Sequence, residues 1–422
     1  MNAATVNPAR MPVYLDHAST TPVDARVAAR MAEVLRSEAE YGNPASTSHG
    51  YGDAAGALVE TARAQVAEAV GAQSEEVIWT SGATEANNLA IFGVAQYYRE
   101  RGRHIVTTRT EHKAVLDPCR ELQRRGWQVS YLVPDRDGVL DPKQVADSLR
   151  PDTVLVSVMH VNNEIGVVQN IAALGAICTR HGGAWLHVDA AQSVGKCPID
   201  FASIGADLMS LSAHKAYGPK GVGALLVSQR DGSRGRVQLS ALQFGGGQER
   251  ALRAGTLATH QVVGMGLAFE IATTLTSVET ARIAHLQQRL WHGLQEIGGV
   301  LRNGSATRAV PHLLNVSFEG VEGESLVAAV REQLAVSTGS ACTSASAEPS
   351  YVLRALGRSE RLSESSLRFG LGRSTTEADI DMAVTVLARE VKRLRNIAGT
   401  TATAATAGTT GITGAARGAW GI

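Results

Sequence analysis

The sequence predicts an α/β protein built on a mostly parallel sheet. Three observations lead there. Between about residues 75 and 230, short apolar runs recur without strict alternation, as in strands buried on both faces. Helix-like stretches separate the runs, as crossover connections between parallel strands require. With 422 residues, 44% hydrophobic and 19% charged, the chain has the composition and length for a sizeable soluble core.

The elements follow in order. VIWT (77–80) runs into SGATE, HIVTT (104–108) into RTEH, and VLVSVM (154–159) into HVNNE. AWLHV (184–188) runs into DAAQ, and LMSL (208–211) into SAHK. In such sheets ligands bind beyond the carboxyl ends of the strands. The polar clusters all lie at that edge, so Thr84, His112, Asn163, Asp189, Gln192 and Lys215 are expected to converge although distant in sequence. Residues 267–300 have helical apolar spacing and bridge to a smaller α+β unit holding LLNVSF, a loop around Cys342 and SSLRFGLG. That loop, STGSACTSASAEPS (337–350), has no apolar period and is punctuated by Gly339 and Pro349. After Arg395 the chain becomes a low-complexity run of Ala, Thr and Gly. Such a composition cannot build a core, and disorder is expected there. No internal repeat is found.

Lys plus Arg and Asp plus Glu are both 40. The zero balance argues against direct nucleic-acid binding and against an acidic membrane surface, both of which favour a basic excess. No apolar run approaches the roughly 18 residues of a membrane span, and the N-terminus has no secretory pattern. Cys119, Cys178, Cys197 and Cys342 have no metal-ligand spacing and are too few for a disulfide scaffold. A reducing cytoplasm is the expected location.

Lys215, after an apolar run and before a Gly- and Pro-rich turn, is placed to form a Schiff base with a carbonyl cofactor, because a partly desolvated ammonium loses its proton easily. An isolated lysine is most often a surface residue, but the neighbouring clusters weigh against that here. Asp189 ends a strand, where a buried carboxylate needs a cationic or hydrogen-bonding partner. A protonated pyridine nitrogen would serve, and that contact keeps pyridoxal phosphate (PLP) an electron sink. A helix cap or a structural ion pair would serve equally for this Asp alone. TSGATEANNLAIFG offers backbone N–H groups and a hydroxyl at a helix start, suited to a phosphate or to simple capping. Together these features are far more specific than any one of them. Cys342, with no apolar frame around it, reads as a reactive thiol, and the other three cysteines read as packing residues.

The motifs YLDHASTTPVD, GNPAS, TSGATEANNLAI, TEHKAVL, MHVNNEIGVVQ, HVDAAQSVGK, SAHKAYGPKG, GSACTSASAEPSYVLRALG and SSLRFGLGR resemble those of the housekeeping cysteine desulfurases of the IscS/NifS group. The resemblance spans residues 12 to about 395. It implies the type I PLP-dependent transferase fold, with a seven-stranded, mostly parallel sheet in a large PLP-binding domain (24–275). A small α+β domain (1–23 and 276–396) would carry the cysteine loop, and 397–422 would be a disordered tail. It implies a homodimer that converts L-cysteine to L-alanine and holds the sulfur as a persulfide on Cys342. Lys215 would be the Schiff-base lysine, Asp189 the partner of the pyridine nitrogen, His112 the ring-stacking and proton-transferring group, and Gln192 a donor to the phenolic oxygen. Ala83, Thr84, Ser212 and His214 would hold the phosphate, joined by Thr256 from the other subunit. Asn163 and Arg368 would grip the substrate carboxylate, Arg368 through its planar fork. Without the resemblance, Arg368 reads as a surface strand residue. His112 and the substrate thiol are both candidates for deprotonating Cys342.

The implied acceptors are an iron–sulfur scaffold protein and other sulfur carriers, serving cluster assembly and tRNA thiolation. Cys342 could also ligate a 2Fe–2S cluster in transit, shared with the scaffold. Two departures stand out. Phe244 and Gln248 replace family histidines in FGGGQERA, and the tail replaces the family's scaffold-docking segment. A selenocysteine lyase or an aminotransferase of the same fold remains the alternative, and a non-catalytic assembly subunit is a rival of another class.

Overall fold

The computed structural model describes residues 11–231, 235–338 and 349–408. After β1 (Val13–Tyr14), helices α1 (Ala25–Arg36) and α2 (Gly50–Ala69) lead into the sheet-building region. There β2 (Val77–Thr80), α3 (Ala83–Tyr98), β3 (His104–Thr108), α4 (Lys113–Arg124) and β4 (Gln128–Leu132) alternate. They are followed by α5 (Pro142–Ser148), β5 (Thr153–Ser157), α6 (Ile171–His181), β6 (Trp185–Asp189), β7 (Leu208–Ser212) and β8 (Gly223–Val227). The seven strands pair in the order β2-β8-β7-β6-β5-β3-β4. Only β8 runs against its neighbours. All five apolar runs became strands. The two that periodicity missed are exceptions to the buried, crossover-linked pattern: β4 is a half-exposed edge, and β8 returns directly from a turn without a helix.

Side chains alternate between the two faces with period two. Val77, Trp79, Val106, Leu186 and Met209 pack with α2, α6 and the long helix α7 (Thr259–Glu296). Ile78, Ile105, Leu155, Trp185 and Leu208 pack with α3 and α4 on the other face. The sheet is therefore covered on both sides and its ligand-binding edge is the strand ends.

Helix α7 has 38 residues and spans about 57 Å. Val262, Met265 and Phe269 belong to the sheet core, whereas Ile283, Leu286, Leu290 and Leu294 belong to a second core. That second core is closed by the antiparallel sheet β12-β10-β9, formed by β9 (Val300–Asn303), β10 (Leu313–Phe318) and β12 (Ser366–Gly370). Leu15 joins it from the N-terminus. Around it lie α8 (Gly323–Val330), β11 (Leu334–Ala335), which pairs with β1, and the short helices α9 (Tyr351–Ala355) and α10 (Glu360–Glu364). An 18-residue window of α7 is apolar enough to cross a bilayer, but half of it is buried inside the fold.

The last helix, α11, runs Glu377–Gly408. Residues 397–408 are thus helical where disorder was expected. Ala is the strongest helix former, so the run can extend a helix already anchored by Ile380, Leu387 and Val391 in the second core. The rest of the tail, 409–422, lies outside the described residues.

Candidate active site

Most of the expected residues emerge where a strand stops. Beyond β2, Gly82 caps α3 at φ 151°, a value other residues rarely adopt, and no side chain caps the first turn. A Cβ on the paired Gly223 would lie 2.6 Å from the Gly82 Cα. Two glycines therefore let the α3 N-terminus sit directly over β8. Beyond β3, His112 caps α4: its Nδ1 accepts from Ala114 N at 3.1 Å, which puts the neutral ring's proton on Nε2. Asp189 ends β6 with Gln192 just beyond it, and beyond β7 a single 3₁₀ turn, Ala213–Lys215, presents the lysine.

Ala83, Thr84, His112, Asn163, Asp189, Gln192, Ser212, His214 and Lys215 all line one cavity of about 440 Å³. The convergence expected at the strand ends is therefore observed. Lys215 Nζ donates to the carbonyls of Ala18 (2.7 Å) and Ser19 (2.9 Å). Asp189 is held by Asn87 Nδ2 at 2.7 Å and by Ala191 N at 3.0 Å. Burial, reinforced by the charge of Lys215, pushes His214 down to about 4, leaving it a neutral imidazole bonded to Thr20.

Arg368 is not a surface residue. It is 3% exposed in β12 and is not itself among the residues lining the cavity, but it is bonded to Asn163 and Ser19, which are. Its Nη1 donates to Asn163 O at 2.9 Å, and its Nη2 to Asp16 Oδ1 (2.8 Å) and Ser19 Oγ (2.6 Å). Its Nε has no partner among the described residues, and neither does Asn163 Oδ1.

Thr256 does not reach this cavity in its own chain. It is exposed and lines a separate cavity of about 260 Å³ with Arg63, Gln248 and Glu249. Cys342 lies outside the described residues, but the residues flanking its segment are informative. Ser337 exchanges backbone hydrogen bonds with Arg368, and Ser350 Oγ donates to the buried Glu164 at 2.6 Å. Of the other thiols, burial pushes Cys119 up to about 12 and Cys197 up to about 11, while Cys178 is buried in the sheet core.

Several supporting residues escaped the sequence reading. Asn87 could have been found, since it stands one turn beyond Thr84 and Ala83 on the face of α3 that bears the cavity residues. Asp16, Glu111, Glu164 and Lys196 carried no local signal.

The residues present fit PLP. Uncapped N–H groups at α3 and the buried Ser212 Oγ, which has no partner among the described residues, line the same cavity and would suit a phosphate. Asp189, held by two donors and otherwise facing the cavity, suits a protonated ring nitrogen.

The aminotransferase class-V family matches residues 13–382. A cysteine desulfurase IscS from Pectobacterium atrosepticum is 53% identical over 389 residues, which are 92% of this chain and 95% of the relative. A solved NifS-like protein superposes with a TM-score of 0.84 at 34% identity, covering 91% of this chain and 100% of its own. SspA, solved in complex with cysteine, superposes with a TM-score of 0.74 at 37% identity, covering 85% and 98%. A chain so similar over nearly its whole length, with this sheet and this cavity, belongs to the class-V aminotransferase family and, within it, to the cysteine desulfurases.

Proposed function

We propose that the protein converts L-cysteine to L-alanine and holds the released sulfur as a persulfide on Cys342. Bound PLP supplies an electron sink for the substrate's α-carbon. Asp189 would face its ring nitrogen, Ala83, Thr84, Ser212 and His214 its phosphate, Gln192 its phenolic oxygen and His112 its ring. Lys215 would hold it through the amine and serve as the group that takes and returns the α-proton. Arg368 and Asn163 would bind the substrate carboxylate, the guanidinium through donors that Asp16 and Ser19 leave over. In the sulfur step the Cys342 thiolate attacks the substrate sulfur. An S–S bond forms and the C–S bond breaks, and the carbon fragment keeps the electron pair and gains a proton.

The observation that carries this reading is where the residues on either side of the Cys342 segment are held. One residue before the described chain stops, Ser337 is bonded to the residue proposed to grip the substrate, and one residue after it resumes, Ser350 is bonded to Glu164. Five residues beyond Ser337, Cys342 can lie no more than roughly 17 Å from it. An aminotransferase needs no such thiol, and the three described thiols are buried or strongly raised. The cysteine bound by SspA agrees in substrate.

Thr256 would complete the phosphate site of a second copy, making the enzyme a homodimer. The sulfur would pass to an iron–sulfur scaffold and other acceptors in the cytoplasm, with Cys342 a transient ligand of the transferred 2Fe–2S cluster. Incubation of the purified protein with L-cysteine and a thiol reductant should release alanine and sulfide in equal amounts. Amine transfer to a keto acid without sulfide would refute the proposal, and a strong preference for selenocysteine would redirect it.

A further inference from the structure

A second lysine stands behind the cavity wall. Lys196 ends the DAAQSVGK turn after β6 and is 7% exposed. Its Nζ donates to Gln192 Oε1. Gln192 Nε2 in turn donates to Ala18 O at 2.8 Å, and the same carbonyl accepts from Lys215 Nζ at 2.7 Å. The two lysines also share the wall of a narrow void of about 10 Å³, which holds at most one water.

The surroundings of Lys196 do not stabilise its charge. The charges of Lys215 and Arg368 oppose its own, Cys197 acts the other way, and the charge of Lys196 in turn bears on His17, His214 and His312. The carboxylate lining the void, Glu279, is bonded to Arg373. Burial, with the charge of Lys215, pushes Lys196 down to about 7. A buried ammonium without an acid partner costs the fold stability. Its one described side-chain bond goes to a residue that faces the cavity, so its benefit is to be sought there.

We propose that Lys196 is a positioning residue for the cofactor: by occupying Gln192 Oε1 it fixes the amide so that the N–H end faces the cavity and the Ala18 carbonyl. The two ends of a glutamine amide have nearly the same shape and opposite hydrogen-bonding sense. An amide turned the other way would present an acceptor to the phenolic oxygen and to Ala18 O. The lysine N–H bonded to one end of the amide and the Ala18 carbonyl, which can only accept, at the other together select the oxygen for Lys196. The Ala18 carbonyl then couples the amide to the amine of Lys215. This inference rests on the PLP reading above.

The test uses full-length holoprotein and four variants: K196M, K196Q, Q192L and K196M/Q192L. The visible band of bound PLP and its rate of release into an apoenzyme trap are measured for each. K196M should displace the band in the same direction as Q192L and release PLP about tenfold faster, the scale of one lost hydrogen bond to a charged acceptor. K196Q, which keeps an N–H donor, should recover most of the difference. The double variant should release PLP no faster than Q192L alone, because both changes break one relay. An unchanged band and release rate in K196M, or effects that multiply in the double variant, would overturn the proposal. If K196M does not fold, K196L and K196L/Q192L, which likewise remove the donor, replace K196M and the double variant in the same comparison, and additive effects of K196L and Q192L overturn the proposal. Unsubstituted protein that binds no PLP would overturn the functional reading beneath the inference, and is seen separately from any variant.

Discussion

Glu111 offers a test of the site's electrostatics that needs no catalysis. It is fully buried beside His112. Its Oε1 accepts from Thr108 Oγ1 and from Met159 N, both at 2.9 Å, and its Oε2 has no partner among the described residues. Burial pushes its pKa up to about 8; the Met159 N–H acts against the rise and the nearby charge of Asp189 adds to it. The carboxyl is therefore neutral in the folded protein at pH 7 and ionised in the unfolded chain above about 4.5. Between those two values the folded state binds one more proton than the unfolded state. Stability contributed by this group is fully present below pH 4.5 and is lost as pH rises toward 8. Each pH unit is worth about 1.4 kcal/mol, so the loss approaches ~5 kcal/mol by pH 8.

Glu111→Gln keeps the shape and the Oε1 acceptor and stays neutral at every pH. Its new amide hydrogens near the unpartnered position cost about 1 kcal/mol at all pH values. The variant should accordingly be equal to or slightly less stable than the parent at pH 5 and about 3 kcal/mol more stable at pH 8. Urea midpoints of the two cofactor-free proteins, compared at equal concentration across that range, read the difference; cofactor is removed because its binding adds its own linkage. A difference that stays constant from pH 5 to pH 8 would refute the reasoning.

Other outcomes follow from the proposed roles. Lys215→Ala should lose the visible absorbance of lysine-bound PLP and resist borohydride fixation of the cofactor; an unchanged spectrum removes the assignment. Cys342→Ala should keep PLP and still bind cysteine but release no alanine with a thiol acceptor, and full turnover in that variant would exclude the persulfide. Arg368→Gln should raise the KM for cysteine about a hundredfold, the scale of a lost charge-assisted pair, with the cofactor spectrum retained. Truncation after Arg395 should change the set of acceptor proteins captured by the full chain, and identical capture would show that the tail has no docking role.

The sheet and most of the cavity were legible because they obey local rules. A buried parallel strand is a short apolar run, and the residue after it stands at the binding edge, so Thr84, His112, Asp189 and Lys215 could be placed from position alone. What supports them obeys no local rule. Asp16 holds Arg368 across 352 positions of chain, and no periodicity connects them. Lys196 reads as one more polar residue after a glycine until the fold buries it. Arg368 misled for the opposite reason: one charged residue in SSLRFG looks like an exposed strand position, and only the pairing of β12 with β10 and the bonds to Asp16, Ser19 and Asn163 hide it.

The segment around Thr256 is organised for something other than its own cavity. Glu249, Arg250 and Ala251 have φ of 45°, 57° and 60°, a left-handed run of non-glycine residues that costs about 1–2 kcal/mol at each position. The strain persists because Glu249 is locked: its carboxylate accepts from Arg63 at 2.9 and 3.0 Å and from Trp79 N at 2.7 Å. Gln248, one of the two departures from the family pattern, accepts from Gly255 N at 3.0 Å, so the change keeps the turn bonded next to Thr256. The other departure, Phe244, leaves its ring 83% exposed. A strained turn held by a buried ion pair, with the exposed Thr256 and Phe244 on either side of it in sequence, contributes no residue to this chain's own cavity. It fits the homodimer proposed above, in which the same segment would offer its hydroxyl to a second copy and the exposed ring would be covered.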